Sequence, residues 1–213
     1  MMTPYKKADE ALVILSSDIK KEFNRHKLRN FLPLDEVNII RLKKNTESLY
    51  KRLDEQNRDF YLKIAQDAYA AACEEIGASK GSGLTAAFIE SMLDSVDEVT
   101  QYIYTNEVER KRDRFFENLL VLSVSGYSES DLMQTYRKAV RLWLQQTEQY
   151  EINVVDRARR QAFDDNDIDE VIWNTQQDGK VCAECEERDG VVYDADDIPA
   201  RHYRCRCYLT AVD

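Results

Sequence analysis

Residues 34–77 read LDEVNIIRLKKNTESLYKRLDEQNRDFYLKIAQDAYAAACEEIG, with no proline and with glycine only at the last position. Within the stretch Val37, Ile40, Thr46, Leu49, Leu53, Phe60, Ile64, Tyr69 and Ala72 recur mostly at steps of three, four and seven, with Lys44 between Ile40 and Thr46. That is the spacing of a helix with one apolar face. Asp35, two residues past Pro33, supplies an N-cap, and Gly77 supplies a C-terminal stop. One long helix is predicted from about Leu34 to Ile76. No glycine precedes Gly77, so the residues before Pro33 have room for another helix.

Working outward, Ala78-Ser79-Lys80-Gly81-Ser82-Gly83 is a turn cluster, and a hinge is expected near 77–83. Leu84, Phe88, Met92, Val99, Ile103 and Val108 then continue helical periodicity to about Leu122. Gly126 breaks it. Ser128 as N-cap with Asp131 three residues on has the form of a capping box. Leu132, Tyr136, Val140, Trp143, Leu144 and Thr147 follow in step, through Ile152 and Val155, to about Phe163. From Asp164 the texture changes. Val171-Ile172-Trp173-Asn174-Thr175 is β-prone, Asp178-Gly179 and Asp189-Gly190 are hairpin-turn dipeptides, and Val191–Tyr193 and Cys205–Val212 read as two further short strands. The expected fold is mainly α. Residues 1–163 form an elongated region of long helices, and residues 168–213 a small C-terminal β-rich (α+β) metal-knuckle module built on β-hairpins.

Composition narrows the function classes. Of 213 residues 43% are hydrophobic and 33% charged, too apolar for wholesale disorder, and six glycines with three prolines exclude low-complexity and collagen-like chains. The longest apolar run, Ala11–Leu15, is far short of the ~20 residues a membrane span needs, and no signal peptide is read at the N-terminus. A soluble protein made in the cytosol, with no membrane partner, is expected. The formal charge of −10 argues against a surface that grips a phosphate backbone throughout. Lys20, Lys21, Arg25, His26, Lys27 and Arg29 nevertheless form a basic stretch. Its bland reading, a solvated helix face, outweighs a nucleic-acid patch because few aromatics are interleaved.

Four of the five cysteines lie in the last 32 residues: Cys182-Ala-Glu-Cys185, then His202-Tyr-Arg-Cys205-Arg-Cys207. Two short-spaced pairs of soft ligands, separated by a loop, match a structural zinc site. A C-x2-C turn sets two sulfurs on one side of a knuckle, and a second pair completes a tetrahedron at about 2.3 Å. A β module of this size has little core, so a metal would supply much of its stability. Cys182, Cys185 and Cys205 are the favoured ligands, with His202 and Cys207 competing for the fourth place. Cys205 and Cys207 would share a face if their segment is a strand. Arg188, Arg201, Arg204 and Arg206 would offset thiolate charge. A disulfide is disfavoured by a reducing compartment. A thioredoxin-like C-x2-C lacks its βαβ unit, and Glu184, Glu186 and Glu187 should raise the thiol pKa values. A catalytic zinc with Glu184 as base lacks the deaminase arrangement.

Trp173-x-Thr175-x2-Asp178-x-Lys180-Val181-Cys182-x2-Cys185-x3-Asp189-Gly190, then Pro199-x2-His202-x2-Cys205-Arg206-Cys207, resembles the C-terminal signature of phage minor head proteins, the Mu F-like head morphogenesis family. The signature covers about residues 171–207. It departs at Tyr203, where a proline often follows the histidine. The resemblance implies a non-enzymatic minor capsid protein of the virion, incorporated in the procapsid near the portal and assisting head assembly and DNA packaging or ejection. Its implied partners are portal, major capsid and scaffolding proteins, with at most weak DNA contact and no small-molecule substrate. Some longer relatives carry a toxin or enzyme domain after the signature; six residues follow Cys207, so none is expected here. A second reading, from another class, is a zinc-module DNA-binding protein acting on the phage genome.

Outside the module, Cys73 among alanines reads as a buried small hydrophobe. His26 reads as exposed and idle, and Arg141 with Glu148 as a helix ion pair. The tyrosines, a residue type suited to interfaces, are expected mainly in core or seam at their helical spacing. No P-loop, nucleophile elbow, zincin or paired-carboxylate motif is present, and no catalytic residue is assigned.

Overall fold

The computed structural model describes residues 4–26, 31–78, 84–96, 101–176 and 181–212. Six helices and three strands lie among them: α1 (Lys6–Arg25), α2 (Glu36–Glu75), α3 (Ala86–Asp94), α4 (Tyr104–Ser125), α5 (Glu129–Asp164), β1 (Glu170–Asn174), α6 (Ala183–Arg188), β2 (Val192–Asp194) and β3 (Tyr208–Ala211). The chain is mainly α with a small β component, as expected.

The long helices begin and end where capping chemistry allows. The Asp35 carboxylate accepts from the Asn38 N–H at 2.8 Å, satisfying one orphan donor at the start of α2. At its end Ala78 N–H reaches Cys73 O at 2.9 Å and Gly77 N–H reaches Glu74 O at 3.2 Å, with Gly77 at φ +65°. This paired arrangement needs a left-handed residue, which glycine adopts without steric cost. The 40 residues of α2 extend about 60 Å at 1.5 Å each. At the start of α5 the Ser128 hydroxyl accepts from Asp131 N–H at 3.2 Å, while the Asp131 carboxylate accepts from Ser128 N–H at 2.8 Å. The Ser128 hydrogen bonds hold that carboxyl below its ordinary range. The expected capping box is present.

Two periodicity readings need correction. In α2, Val37 and Ile40 are two-thirds exposed, while Leu42, Leu49, Tyr50, Leu53, Tyr61 and Ile64 are buried; the core face is rotated from the expected stripe in the first turns. The run from Leu84 to Leu122 is not one helix. It splits into α3 and α4, because Val96 and Ile103 pair in an isolated antiparallel bridge and Gln101 adopts φ +57°. A bridge and a left-handed residue are both incompatible with continuous i→i+4 bonding. Most of the expected hinge, residues 79–83, lies outside the described residues, as do Val99, Lys27, Arg29 and the Asp178-Gly179 dipeptide.

The chain forms two compact units, Met1–Ala11, Phe60–Met92 and Gln149–Asp213 in one, Leu12–Asp59 and Leu93–Glu148 in the other. The second has an aromatic core. Phe115 and Tyr136 meet edge to face at 5.1 Å between centroids, and Tyr50 and Trp143 at 5.4 Å, geometry worth about 0.5–1.5 kcal/mol per pair beyond area burial. Phe23 packs against Tyr50, Phe115 and Tyr136. The buried Glu22 carboxylate accepts from Arg52 Nε at 2.8 Å, and Arg25 also pairs with it. These partners, Arg52 first, keep Glu22 ionised below its usual range against the cost of burial.

His26 is not exposed and idle. It is 6% accessible, its Nδ1 is hydrogen-bonded to the Tyr136 hydroxyl, and Thr46 Oγ1 lies 3.4 Å from Nε2. The aromatic surroundings of Phe31, Phe115 and Tyr136 account for the burial, and a lone histidine in a basic run carried no sign of them. Burial, then the charge of Arg52, lowers its pKa from 6.5 to about 4. The unfolded chain therefore binds a proton in that interval that the native state refuses, so stability falls as pH drops below about 6.5. Urea titrations at pH 7 and pH 5 are expected to differ by about 2 kcal/mol more in the native sequence than in His26→Gln. An identical pH response in the two proteins contradicts this assignment.

In the first unit the sheet order is β2-β1-β3, antiparallel throughout, with Val171 opposite Tyr193 and Trp173 opposite Leu209. Val171, Trp173 and Leu209 are buried, as the period of two requires for one covered face. Arg159 of α5 is buried too; it donates to Glu75 at 2.7 Å and to Leu209 O at 2.8 Å. Cys73 is fully buried, as expected.

Candidate metal centre

The C-x2-C pair sits on a helix start and not on a hairpin knuckle. Cys182 is the N-cap of α6, with φ −81° and ψ 160°, and Cys185 lies in the first turn, where Glu186 N–H closes on Cys182 O at 2.9 Å. A helical turn serves the same end as the expected turn, because residues three apart project from one side. Asp189-Gly190 follows α6 and leads into β2, so it is not a hairpin loop. Gly190 takes φ +77°, its N–H bonds Trp173 O at 2.8 Å, and the Asp189 carboxylate accepts from Thr175 N–H at 2.7 Å. These contacts tie α6 to β1.

Cys205 and Cys207 precede β3, which begins at Tyr208, so strand alternation does not place them. Arg204 at φ +61° and the Cys205 N–H to His202 O bond of 3.1 Å turn the chain there. Cys185, Cys205 and Cys207 are all buried, and Cys182 and His202 lie nearer solvent. All five candidate ligands converge. Cys182, Cys185 and His202 have ligand atoms within 4.8 Å of one another, as do Cys185, Cys205 and Cys207, and Cys185 belongs to both groups.

Cys182 Sγ is 3.3 Å and Cys185 Sγ 3.1 Å from His202 Nε2, and Cys185 Sγ is 3.7 Å from Cys205 Sγ. A tetrahedral zinc with arms of about 2.3 Å to sulfur has sulfur–sulfur edges near 3.8 Å. The donor set is soft, and the Cys185–Cys205 separation matches such an edge. The His202 Nδ1–H donates to Tyr203 O at 2.9 Å, which turns Nε2 toward the sulfurs, as an outer hydrogen bond does for a ligating imidazole. All five cysteines are free thiols.

Thiol acidity within the cluster is uneven. The hydrogen bond from Cys207 lowers the Cys205 thiol to about 5 despite burial, with help from Arg201. Cys182 is lowered by the Cys185 N–H and thiol. Burial pushes Cys185 up to about 12, and Cys205 raises Cys207. The expectation that Glu184, Glu186 and Glu187 raise these values is therefore corrected: neighbouring thiols and backbone N–H groups, burial and Arg201 set them. Among the four arginines, Arg201 is the one whose charge lowers the Cys205 thiol. Arg188 pairs with Glu184 and lies over the Trp173 ring at 5.2 Å. Arg206 pairs with Asp9 at 2.8 Å, and Arg204 lies over Tyr203.

The cluster's cradle also includes residues that no motif marked. Arg201, whose side chain is 9% exposed, pairs with Asp156 of α5, donates to Cys207 O and lies 3.3 Å from the Tyr5 hydroxyl. Tyr5 in turn donates to Cys207 O at 3.1 Å. The guanidinium also lies over Trp173 at 5.4 Å. Asp156 and Tyr5 are 45 and 196 residues from Arg201 in the chain, so no local pattern could have joined them.

A family model for phage Mu protein F-like proteins matches residues 97–210, which include the whole cysteine–histidine cluster and all of α4 and α5. This chain belongs to that family. No curated protein and no solved structure matches it. Membership in the phage Mu protein F-like family makes this a phage head morphogenesis protein, and the cluster that could hold a metal is part of what the family model recognises. Among the described residues no helix of this Mu F-like chain is long and apolar enough to cross a membrane.

Proposed function

We propose that the protein is a minor structural component of the phage head, present in the procapsid beside the portal, where it contacts portal, major capsid or scaffolding subunits and assists packaging or ejection of the genome. Residues 168–213 are its metal-closed module. In this reading Cys182, Cys185, His202 and Cys205 hold one structural zinc. Cys207 hydrogen-bonds to Cys205 from outside the set. The observation that carries the reading is the match over 97–210, whose C-terminal part contains four thiols and an imidazole that meet in two groups sharing Cys185. The helices supply surface for docking, and no catalytic step is assigned to any residue.

Gradient fractionation of assembling particles with mass spectrometry is expected to find the chain in procapsids; absence from both immature and mature heads overturns the head assignment. Elemental analysis of the purified protein is expected to give about one zinc per chain. Stripping it with a strong chelator should unfold the C-terminal segment, because metal-binding free energy in such sites is folding free energy. A chelated protein with unchanged stability removes the metal from the proposal.

The DNA-binding reading draws less support. Within the 20–29 stretch Lys21 pairs with Asp18 at 2.7 Å and Arg25 with Glu22, and Arg206 of the C-terminal run is paired with Asp9. Charges already paired release fewer counterions on meeting a phosphate backbone.

A further inference from the structure

Within the unit formed by Leu12–Asp59 and Leu93–Glu148, α1 and α5 leave an open groove of about 630 Å³ between them. Leu12, Ser16, Lys20 and Asn24 line it from α1 at steps of four, and Met133, Arg137, Val140, Leu144 and Glu148 line it from α5 at steps of three and four. Each helix thus presents one ridge, and two parallel ridges with a furrow between them are the surface into which the ridge of a third helix fits. Ser16 and Asn24 are short, which keeps the α1 wall low. Phe23, Val140 and Leu144 give an apolar floor, and Met133, 48% exposed, adds a side chain able to adapt to a partner.

The rim is charged in one sense. Lys20, Arg137 and Arg141 are exposed, and none of them forms an ion pair among the described residues. The expected Arg141–Glu148 ion pair does not form among the described residues. Against these three cations the lining contributes a single carboxylate, Glu148, in a chain whose formal charge is −10. Two other cations of α1 are neutralised, Lys21 by Asp18 and Arg25 by Glu22. Unpaired cations flanking an apolar furrow complement an apolar ridge flanked by carboxylates.

We propose that this groove binds an acidic amphipathic helix of a partner protein, with the apolar ridge seated between α1 and α5 and flanking Asp or Glu side chains against Lys20, Arg137 and Arg141. From Leu12 to Asn24 the α1 wall extends about 18 Å, so a little over three helical turns are engaged. A phosphate backbone is the poorer occupant because it has no apolar ridge to fill the floor. The inference stands apart from the metal centre and does not require the head assignment.

The test uses the full-length protein and two fluorescein-labelled helical peptides of about 18 residues. Both carry leucines at i, i+3, i+4 and i+7; one has glutamates on the flanks and the other lysines. Fluorescence anisotropy at low salt is expected to show the glutamate peptide binding at least about tenfold more tightly than its twin, with the gap narrowing at high salt. The exposed double substitution Arg137→Glu, Arg141→Glu should abolish that preference. Ser16→Trp, which fills the furrow, should weaken the glutamate peptide by about tenfold, with circular dichroism confirming retained helix in each variant. Equal binding of the twin peptides, or binding indifferent to both variants, overturns the proposal. So does a dimer that Ser16→Trp disperses, which would seat a second copy in the groove. Retention on duplex DNA that the double variant loses, without peptide binding, would assign the cations to nucleic acid instead.

Discussion

Cys185→Ser is expected to reduce zinc from about one atom per chain to near zero, whereas Cys207→Ser retains it. Cys185 is the one thiol common to both groups of converging ligands; it is buried and lies 3.1 Å from His202 Nε2 and 3.7 Å from Cys205 Sγ. Removing it leaves Cys182 with His202 on one side and Cys205 with Cys207 on the other, and neither pair completes four-coordination. Structural zinc in small modules contributes about 10–16 kcal/mol of apparent binding free energy, most of which appears as folding free energy. The variant's module of residues 168–213 should therefore melt well below that of the native protein and no longer respond to chelator. Inductively coupled plasma analysis beside chelator-dependent denaturation curves reads both effects. Zinc kept by Cys182→Ser and lost by Cys207→Ser would move the ligand set to Cys185, Cys205 and Cys207.

The second large effect lies at Asp156. Arg201 and Asp156 are 9% and 12% exposed in their side chains, and Arg160 Nε adds a second cation 3.1 Å from the same carboxylate. Burial opposes the charge on Arg201, yet Asp156 and the neighbouring Tyr5 and Cys205 hold the guanidinium protonated. Asp156→Ala leaves that charge buried without its partner, at a cost of about 3–5 kcal/mol. The pair Asp156→Ala, Arg201→Met should recover a large part of the loss, because no charge is then left stranded. Urea denaturation of the native protein, both single variants and the pair closes the cycle. A loss below about 1 kcal/mol for Asp156→Ala would mean that the pair behaves like a solvent-screened one.

Much of this architecture was legible from local patterns. Asp35, Gly77, Ser128 and Asp131 delimit helices through bonds to residues three to five positions away, so their meaning is present in any short window of the chain. The spacing of Cys182, Cys185, His202, Cys205 and Cys207 pointed to a soft-ligand cluster because ligands must come in close pairs to meet one ion. The helical break between α3 and α4 was hidden, since apolar spacing ran on while a bridge between Val96 and Ile103 overrode it.

Composition and spacing alone established a mainly helical chain with a cysteine–histidine C-terminus, because capping, periodicity and ligand pairing are short-range. Folding decided the rest: Cys182–Cys185 on a helix start, His26 buried against Tyr136, Arg201 held by Asp156 and Tyr5, and an unpaired cationic rim beside α1 and α5. Each of these depends on side chains brought together from distant positions, and burial, which sets their charge and partners, exists only once the chain has closed on itself.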